Sequence, residues 1–308
     1  MTTRRKRILA AVLGVLLVFG VVATVAGLWE RLYFQSQGLD VGEPSSSWPV
    51  KEVQDASDLT RIAAVGDIGT GHAPEYAVVA AMDAQHQSRR YDAIVMLGDL
   101  VYPDGEARLV DEVVLRPYAP LLRDDVDLIP VLGNHDHISG QGDEIMKELG
   151  RTSAWYAEVV GPALVVVLDS NQVEDPAQTS WLRSTLRDST STWTIVAMHH
   201  PPYSAGWHGS SIDVREAWSG LFMQYGVDLV LAGHDHDYQR SKVIDGIVYV
   251  VSGGGAKTRP TGHDDDFTAF SASTLNYLDL QITSDSIYGQ AIGTDKAAFD
   301  EFTLRNGS

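Results

Sequence analysis

Residues 231–240 read Leu231-Ala-Gly-His-Asp-His-Asp-Tyr-Gln-Arg240, at the end of an apolar run from Val227 to Leu231. If that run is a strand that turns at Gly233, its alternation holds His234 and His236 at one strand end, where both imidazoles can converge. A metal pair would use such an arrangement. A polar turn carrying two solvated histidines would be written in the same letters, so the rest of the chain has to decide.

The run before Gly233 is one of a series. Ile62 to Val65, Ala93 to Leu97, Leu128 to Leu132, Leu164 to Leu168 and Thr194 to Met198 also read as buried strands. Pro74 to Arg90, Pro176 to Arg187 and Val214 to Tyr225 read as helices between them. The alternation predicts an α/β layered domain. Ile247 to Val251, Leu275 to Ile282 and Ser286 to Ala291 lie closer together and are expected to pair antiparallel.

At 308 residues and 44% hydrophobic content, the chain can bury one large core. Its formal charge is −18, and four of its 23 basic residues fall within the first seven positions, so the remainder is more acidic still. Such a surface argues against nucleic acid, which needs Lys and Arg to neutralise phosphates. With no cysteine, any metal must be held by oxygen and imidazole. Arg4-Arg5-Lys6-Arg7 precedes an uncharged, mostly apolar run from Ile8 to Trp29, long enough to cross a bilayer. We read residues 1–30 as a membrane anchor with the rest of the chain on the extracytoplasmic side. A signal peptide cleaved near Thr24-Val-Ala26, giving a secreted protein, is the competing reading. Residues 31–57 read as a flexible linker and 58–308 as the catalytic domain, expected to be a monomer.

The residues at the ends of the apolar runs form a specific series. The chain places Gly66-Asp67-Ile-Gly69, Gly98-Asp99-Leu-Val-Tyr102, Gly133-Asn134-His135-Asp136, His199-His200-Pro-Pro-Tyr203 and Gly233-His234-Asp-His236 after successive strands. Carboxyl ends of parallel strands are where open α/β sheets build their sites, and glycines let the chain turn sharply there. Any one of these could be an ordinary turn. Five in succession could not.

The ordered set resembles the metallophosphoesterases, and within them the purple acid phosphatases of the small, tartrate-resistant type, over roughly Arg61 to Ala256. Two details carry the narrower resemblance. Gly69 stands where many metallophosphoesterases have a histidine, and Tyr102 stands three residues after Asp99, as in the purple phosphatases. His208, nine residues past His199, and Tyr249-Val-Val-Ser-Gly-Gly-Gly255 add to it. The resemblance implies a four-layer α/β/β/α sandwich with mixed sheets. It implies that Asp67, Tyr102 and His236 bind one metal, that Asn134, His199 and His234 bind the other, and that Asp99 bridges them. Carboxylate and phenolate oxygens on the first site suit Fe(III); an amide and two neutral imidazoles on the second suit a divalent ion, Fe, Zn or Mn.

Two such ions, about 3.5–4 Å apart, clamp a phosphoryl group and generate a hydroxide for in-line attack. The implied activity is hydrolysis of small phosphomonoesters, with His135 and His208 as the groups that protonate the leaving oxygen. A phosphodiesterase acting on cyclic nucleotides or lipid headgroups would use nearly the same donors, and a noncatalytic binding domain is the third alternative. Of the other polar residues, His200 is expected to line the pocket or pack, and His137 to stand behind the metals or at the surface. His72 and His86 are expected to be solvated, and Asp136 to hold His135 or a backbone amide. Asp169-Ser170-Asn171 reads as structural and His263 to Asp266 as a solvated acidic loop. Arg240, Lys257 and Arg259 lie near the last motifs, where contact with the substrate's phosphate is open to them and surface roles are favoured.

Overall fold

The computed structural model describes residues 32–33, 39–40, 43–53, 58–262 and 266–306. In chain order the elements are β1 (Leu39–Asp40), β2 (Trp48–Pro49), β3 (Thr60–Val65), α1 (Ala73–Ser88), β4 (Ala93–Met96), α2 (Arg116–Leu122), β5 (Asp127–Pro130), α3 (Asn134–Ile138), α4 (Gly142–Glu148), β6 (Tyr156–Val160) and β7 (Ala163–Val167). Next come α5 (Pro176–Asp188), β8 (Trp193–Ala197), α6 (Ile212–Gln224), β9 (Leu229–Ala232), β10 (Tyr238–Ser241), β11 (Val248–Ser252), β12 (Thr261–Gly262), β13 (Thr268–Ala272), β14 (Asn276–Ile282), β15 (Ser286–Gly293) and β16 (Ala297–Arg305).

The strands form two seven-stranded mixed sheets, ordered β2-β16-β15-β14-β3-β4-β5 and β13-β10-β11-β9-β8-β7-β6. Ile62, Ala64 and Val95 of the first sheet pack with Val165, Ile195 and Leu231 of the second in one buried layer. Val78 and Met82 of α1, with Tyr118 and Ile145, cover the outer face of the first sheet. Leu182 of α5 and Trp218 and Phe222 of α6 cover that of the second. Central strands are therefore buried on both faces, which is why they read as unbroken apolar runs. The helices are one-sided: Gln178, Leu182 and Leu186 of α5 recur every four residues, and Asp175 caps the helix by accepting the Ala177 N–H at 2.7 Å.

Three expectations need correction. Leu275 to Ile282 and Ser286 to Ala291 do pair antiparallel, as β14 and β15. Ile247 to Val251 does not join them: β11 lies in the other sheet, antiparallel to β10 and parallel to β9. The cause is a tight turn at Asp245 and Gly246, both at positive φ, which folds β11 back along β10. Part of the segment read as a linker is packed: β2 pairs with β16, and the Lys51 and Val53 N–H groups donate to Gln290 and Gln281. His86 is not solvated. It is 1% exposed, faces Asp124 at 3.0 Å through Nε2, and accepts the Tyr91 N–H at Nδ1. The run from Ile8 to Trp29 and residues 263–265 lie outside the described residues; among those described, no helix is long and apolar enough to cross a membrane.

One buried ion pair ties the first sheet to its helix. Arg61 on β3 donates from Nε and Nη2 to Asp279 on β14 and from Nη1 to the carbonyls of Gln85 and Arg89 at the end of α1. Burial opposes the charged guanidinium, but Asp279 and the neighbouring Tyr91 more than offset it, so the Arg61 pKa is raised. Arg61→Met is expected to lower the unfolding free energy by about 3–5 kcal/mol, because Asp279 is left buried and unpaired. Chemical denaturation should show the double variant Arg61→Met, Asp279→Leu recovering at least half of that loss; a double variant no better than the single would refute the explanation.

Candidate metal centre

β3, β4 and β5 run parallel in one sheet, and β8 and β9 run parallel in the other. Their carboxyl ends meet at a common edge: Gly66 N–H donates to the Ser252 carbonyl and the His199 ring to the Leu97 carbonyl, each at 2.8 Å. Asp67 thus follows β3, Asp99 and Tyr102 follow β4, and Asn134 follows β5. From the second sheet come His199 after β8 and His234 and His236 after β9.

Two sets of donors converge. Carboxylate oxygens of Asp67 and Asp99 and a nitrogen of His236 all lie within 4.8 Å of one another. The Tyr102 hydroxyl joins them, donating to Asp99 Oδ2 at 2.7 Å and lying 3.2 Å from Asp67 Oδ1 and 3.3 Å from His236 Nε2. In the second set Asn134 Oδ1 is 3.1 Å from both His199 Nε2 and His234 Nδ1, which are 3.3 Å apart. Asp99 faces both sets, since its Oδ1 stands 3.4 Å from His199 Nε2.

The donor chemistry fits cations. A carbonyl can only accept, so His199 must spend its Nδ1 proton on Leu97, and burial keeps the ring neutral by lowering its pKa. Its Nε2 is then a bare acceptor turned towards the amide oxygen of Asn134 and a carboxylate oxygen of Asp99. In the first set, burial and then the Asp99 charge push the Asp67 carboxyl well above its ordinary range. Burial, followed by Asp67 and Asp99, likewise raises the Tyr102 pKa. His236 is lowered to about 4 by burial and then by Arg259 and Lys257, and its Nδ1 is buried without a partner. Acceptors crowded together without enough protons between them are what a metal pair would satisfy.

The backbone is strained to achieve this. Asp67, Asp99 and His234 have φ of 58°, 52° and 73°, a left-handed region that costs non-glycine residues energy. Asp136 holds two of the loops together by accepting N–H bonds from Leu100, Val101 and Gly133 at 2.8–3.0 Å, which is the backbone role expected of it. At Gly69 an added Cβ would lie 1.9 Å from the Leu100 carbonyl oxygen, so the loop carrying Tyr102 packs where a longer residue would stand.

Around the donors, His135 donates Nδ1–H to the Pro103 carbonyl and turns Nε2 towards Asp99 Oδ2, 4.0 Å away. His208, exposed at the rim, stacks near His234 with ring centroids 4.4 Å apart. Arg259 donates to its Nε2 at 3.0 Å. Asp235, 1% exposed between the two histidines of the opening motif, accepts the His208 N–H at 2.7 Å and fixes that loop. His200 is half-buried against Ser170, at 2.8 Å, yet also lies within 4.8 Å of the His199 and His234 nitrogens. His137 pairs with Asp169 at 3.3 Å, and His72 is exposed at the start of α1. Arg240 is remote from the donors, paired with Asp300 at 2.7 Å. Lys257 and Arg259, for which the sequence favours a surface role over one at the substrate, border the site: Lys257 Nζ is 3.5 Å from the centroid of the Tyr102 ring. Nearness to the last motifs is the one sequence signal for these cations, and it does not separate them from Arg240.

The sequence model described as calcineurin-like phosphoesterase matches residues 60–238, and the chain belongs to that family, one of metal-dependent phosphoric ester hydrolases. An uncharacterized protein of Mycobacterium tuberculosis is 28% identical over 189 residues, covering 43% of this chain; the match spans only 36% of that relative's length. Rabbit tartrate-resistant acid phosphatase type 5 is 26% identical over 240 residues, 65% of this chain and 74% of that protein. Two solved structures superpose with a TM-score of 0.73. GAP50, described as the anchor in the inner membrane complex of Plasmodium, is 16% identical, with 82% of this chain and 90% of that one covered. Purple acid phosphatase PPD1 from yellow lupin is 17% identical, with 81% and 54% covered. At those identities the likeness is one of fold.

The loop that carries Asp67 rests on Glu75 of α1, whose buried Oε2 accepts the N–H groups of Gly71 and Thr70 at 2.7 and 3.1 Å. Oε1 is buried without a partner, and burial raises the pKa to about 7 against those two bonds and a third from the Thr70 hydroxyl. A carboxyl raised above its ordinary value near 4.3 favours the protonated folded state; the stabilisation is complete below that value and is lost as pH rises through about 7. Between roughly pH 4.5 and 7, wild type should therefore lose about 3 kcal/mol of unfolding free energy relative to Glu75→Gln. A constant difference across that range would rule the assignment out.

Proposed function

We propose that the chain is a phosphomonoesterase of the purple acid phosphatase type, using Fe(III) on Asp67, Tyr102 and His236 and a divalent Fe, Zn or Mn on Asn134, His199 and His234. The observation that carries the reading is the buried Asp99 carboxylate, with one oxygen against each donor set. When bound, the metal pair would supply charge neutralisation for the phosphoryl oxygens and an acidified water for in-line attack.

The chain's own residues supply the rest. Asn134, His199 and His234 would hold the second ion and add no charge of their own, so Asp99 is the anionic side chain that site shares. His135 is the better proton donor to the leaving oxygen, because the Pro103 carbonyl fixes its ring and Nε2 faces inward. His208 receives an N–H from Arg259 at Nε2, which leaves that nitrogen without a proton to give; it positions the substrate. The substrate is a small phosphoester and the protein a monomer. Residues 8–29 hold it to a membrane with residues 58–308 on the extracytoplasmic side, or are cleaved to release it.

His135→Ala is expected to reduce kcat by about 10²–10⁴ for an alkyl phosphate and far less for p-nitrophenyl phosphate, whose leaving group needs no proton. Equal losses on the two esters would remove His135 from that role. Loaded with iron, the protein should be coloured and Tyr102→Phe pale at the same iron content; a colourless wild type with iron bound would exclude tyrosinate ligation. Faster turnover of bis(p-nitrophenyl) phosphate than of the monoester would select the diesterase alternative.

A further inference from the structure

After β11 the chain runs against the motif loops: Gly253 N–H donates to the Asp237 carbonyl, Gly255 to Gly66 and Arg259 to His236, at 2.8–3.1 Å. That course sets two cations beside the centre, both close enough to His236 to lower its pKa. Lys257 stands on the Tyr102 ring at 3.5 Å, and Arg259 stands against His208, next to His234. Three other buried or half-buried arginines of the domain are neutralised within the chain, Arg61 by Asp279, Arg151 by Glu158 and Arg240 by Asp300. Among the described residues, Lys257 and Arg259 come within 4.0 Å of no carboxylate, in a chain whose formal charge is −18.

The charge count at the centre gives these two cations a task. Asp67, Asp99 and a phenolate at Tyr102 offset three of the five positive charges of an Fe(III) and divalent pair. A phosphate dianion and the attacking hydroxide would bring three more negative charges, one beyond the metals' five. Lys257 and Arg259 together exceed that one charge, so positive charge is left for the rest of the substrate, with Lys257 exposed and Arg259 half-buried.

We propose that Lys257 and Arg259 form a subsite for a second anionic group on the leaving-group side, so that the preferred substrates are phosphomonoesters bearing a further carboxylate or phosphate; this rests on the phosphomonoesterase reading above. The two cations come from one short segment and flank the donors rather than join them, which suits selection of the leaving group rather than the attack itself.

Two non-hydrolysable probes of nearly equal shape isolate the charge: 3-carboxybenzylphosphonate and 3-carbamoylbenzylphosphonate, titrated calorimetrically into the metal-loaded full chain. The carboxylate is expected to bind about tenfold tighter, as a charge-assisted contact would give. Lys257→Gln should cut that selectivity at least threefold, the Lys257→Gln, Arg259→Gln pair should bring it near one, and added salt should compress it in wild type. A 3-phosphonomethyl counterpart tells which anion fits; a preference for either anion that Lys257→Gln removes is the expected result. Selectivity that is absent, or that survives unchanged in both variants, overturns the subsite. Turnover of phenyl phosphate by the same preparation is scored separately. No turnover with an intact Lys257-dependent preference defeats the enzymatic reading and keeps the subsite; turnover without preference does the reverse.

Discussion

Two carboxylates and a phenol, all buried and in mutual contact, cannot all lose their protons without a counter-charge. Asp67, Asp99 and Tyr102 are in that position, with the Tyr102 hydroxyl 2.7 Å from Asp99, 3.2 Å from Asp67 and 3.3 Å from His236, and the two carboxylates within 4.8 Å of each other. Burial and these neighbours raise the pKa values of Asp67 and Tyr102, and the structure answers by holding Tyr102 protonated as a donor to Asp99. A multiply charged cation reverses that balance. The rest of the architecture serves to impose this crowding: left-handed backbone at three donors, Asp136 tied to three amides, Glu75 beneath the Asp67 loop. None of these devices would be worth its cost in a site meant to bind nothing.

The second constraint is that the two donor sets come from different sheets. Asp67, Asp99, Tyr102 and Asn134 follow strands of the first sheet, while His199, His234 and His236 follow strands of the second. The centre can therefore form only if the sheets are packed in one register, and the contact from His199 to the Leu97 carbonyl crosses that joint. The opening motif supplies His236 to one set and His234 to the other, across a turn in which Asp235 holds the His208 loop. Core packing between the sheets and donor geometry are thus coupled, and a loss of sheet registry would be felt first as a loss of the shared carboxylate.

The sequence makes legible whatever is periodic or adjacent. Buried strands appear as apolar runs because both faces are covered, and the donors appear because each sits at a strand's end. Seven of them are brought together as the motifs implied. The features that escape such a reading depend on long-range neighbours or on turn chemistry. Spacing alone groups β11 with β14 and β15, whereas the Asp-Gly turn at Asp245 commits it to β10 in the other sheet. His86 reads as a surface histidine on a helix whose apolar periodicity is weak, and only the approach of Asp124 and the Tyr91 amide reveals it as buried. Lys257 and Arg259 lie in no motif. Their position follows from three backbone hydrogen bonds that no local pattern encodes.

Fold by itself would not separate catalysis from scaffolding. The same superposition score links this chain to a plant purple acid phosphatase and to a protein described as a membrane-complex anchor, which is the general situation for folds that host unrelated functions. The cost of the donor set is what separates them. A chain that used the fold only as a surface would gain stability by replacing Asp67 or Asp99 with an apolar residue, since an unpaired buried carboxylate is expensive. Here both are present, together with the amide, the phenol and three imidazoles, on a backbone held in left-handed conformations at Asp67, Asp99 and His234. The strain and the desolvation share one remedy, bound cations, and that common remedy is the physical argument for a metal-binding site.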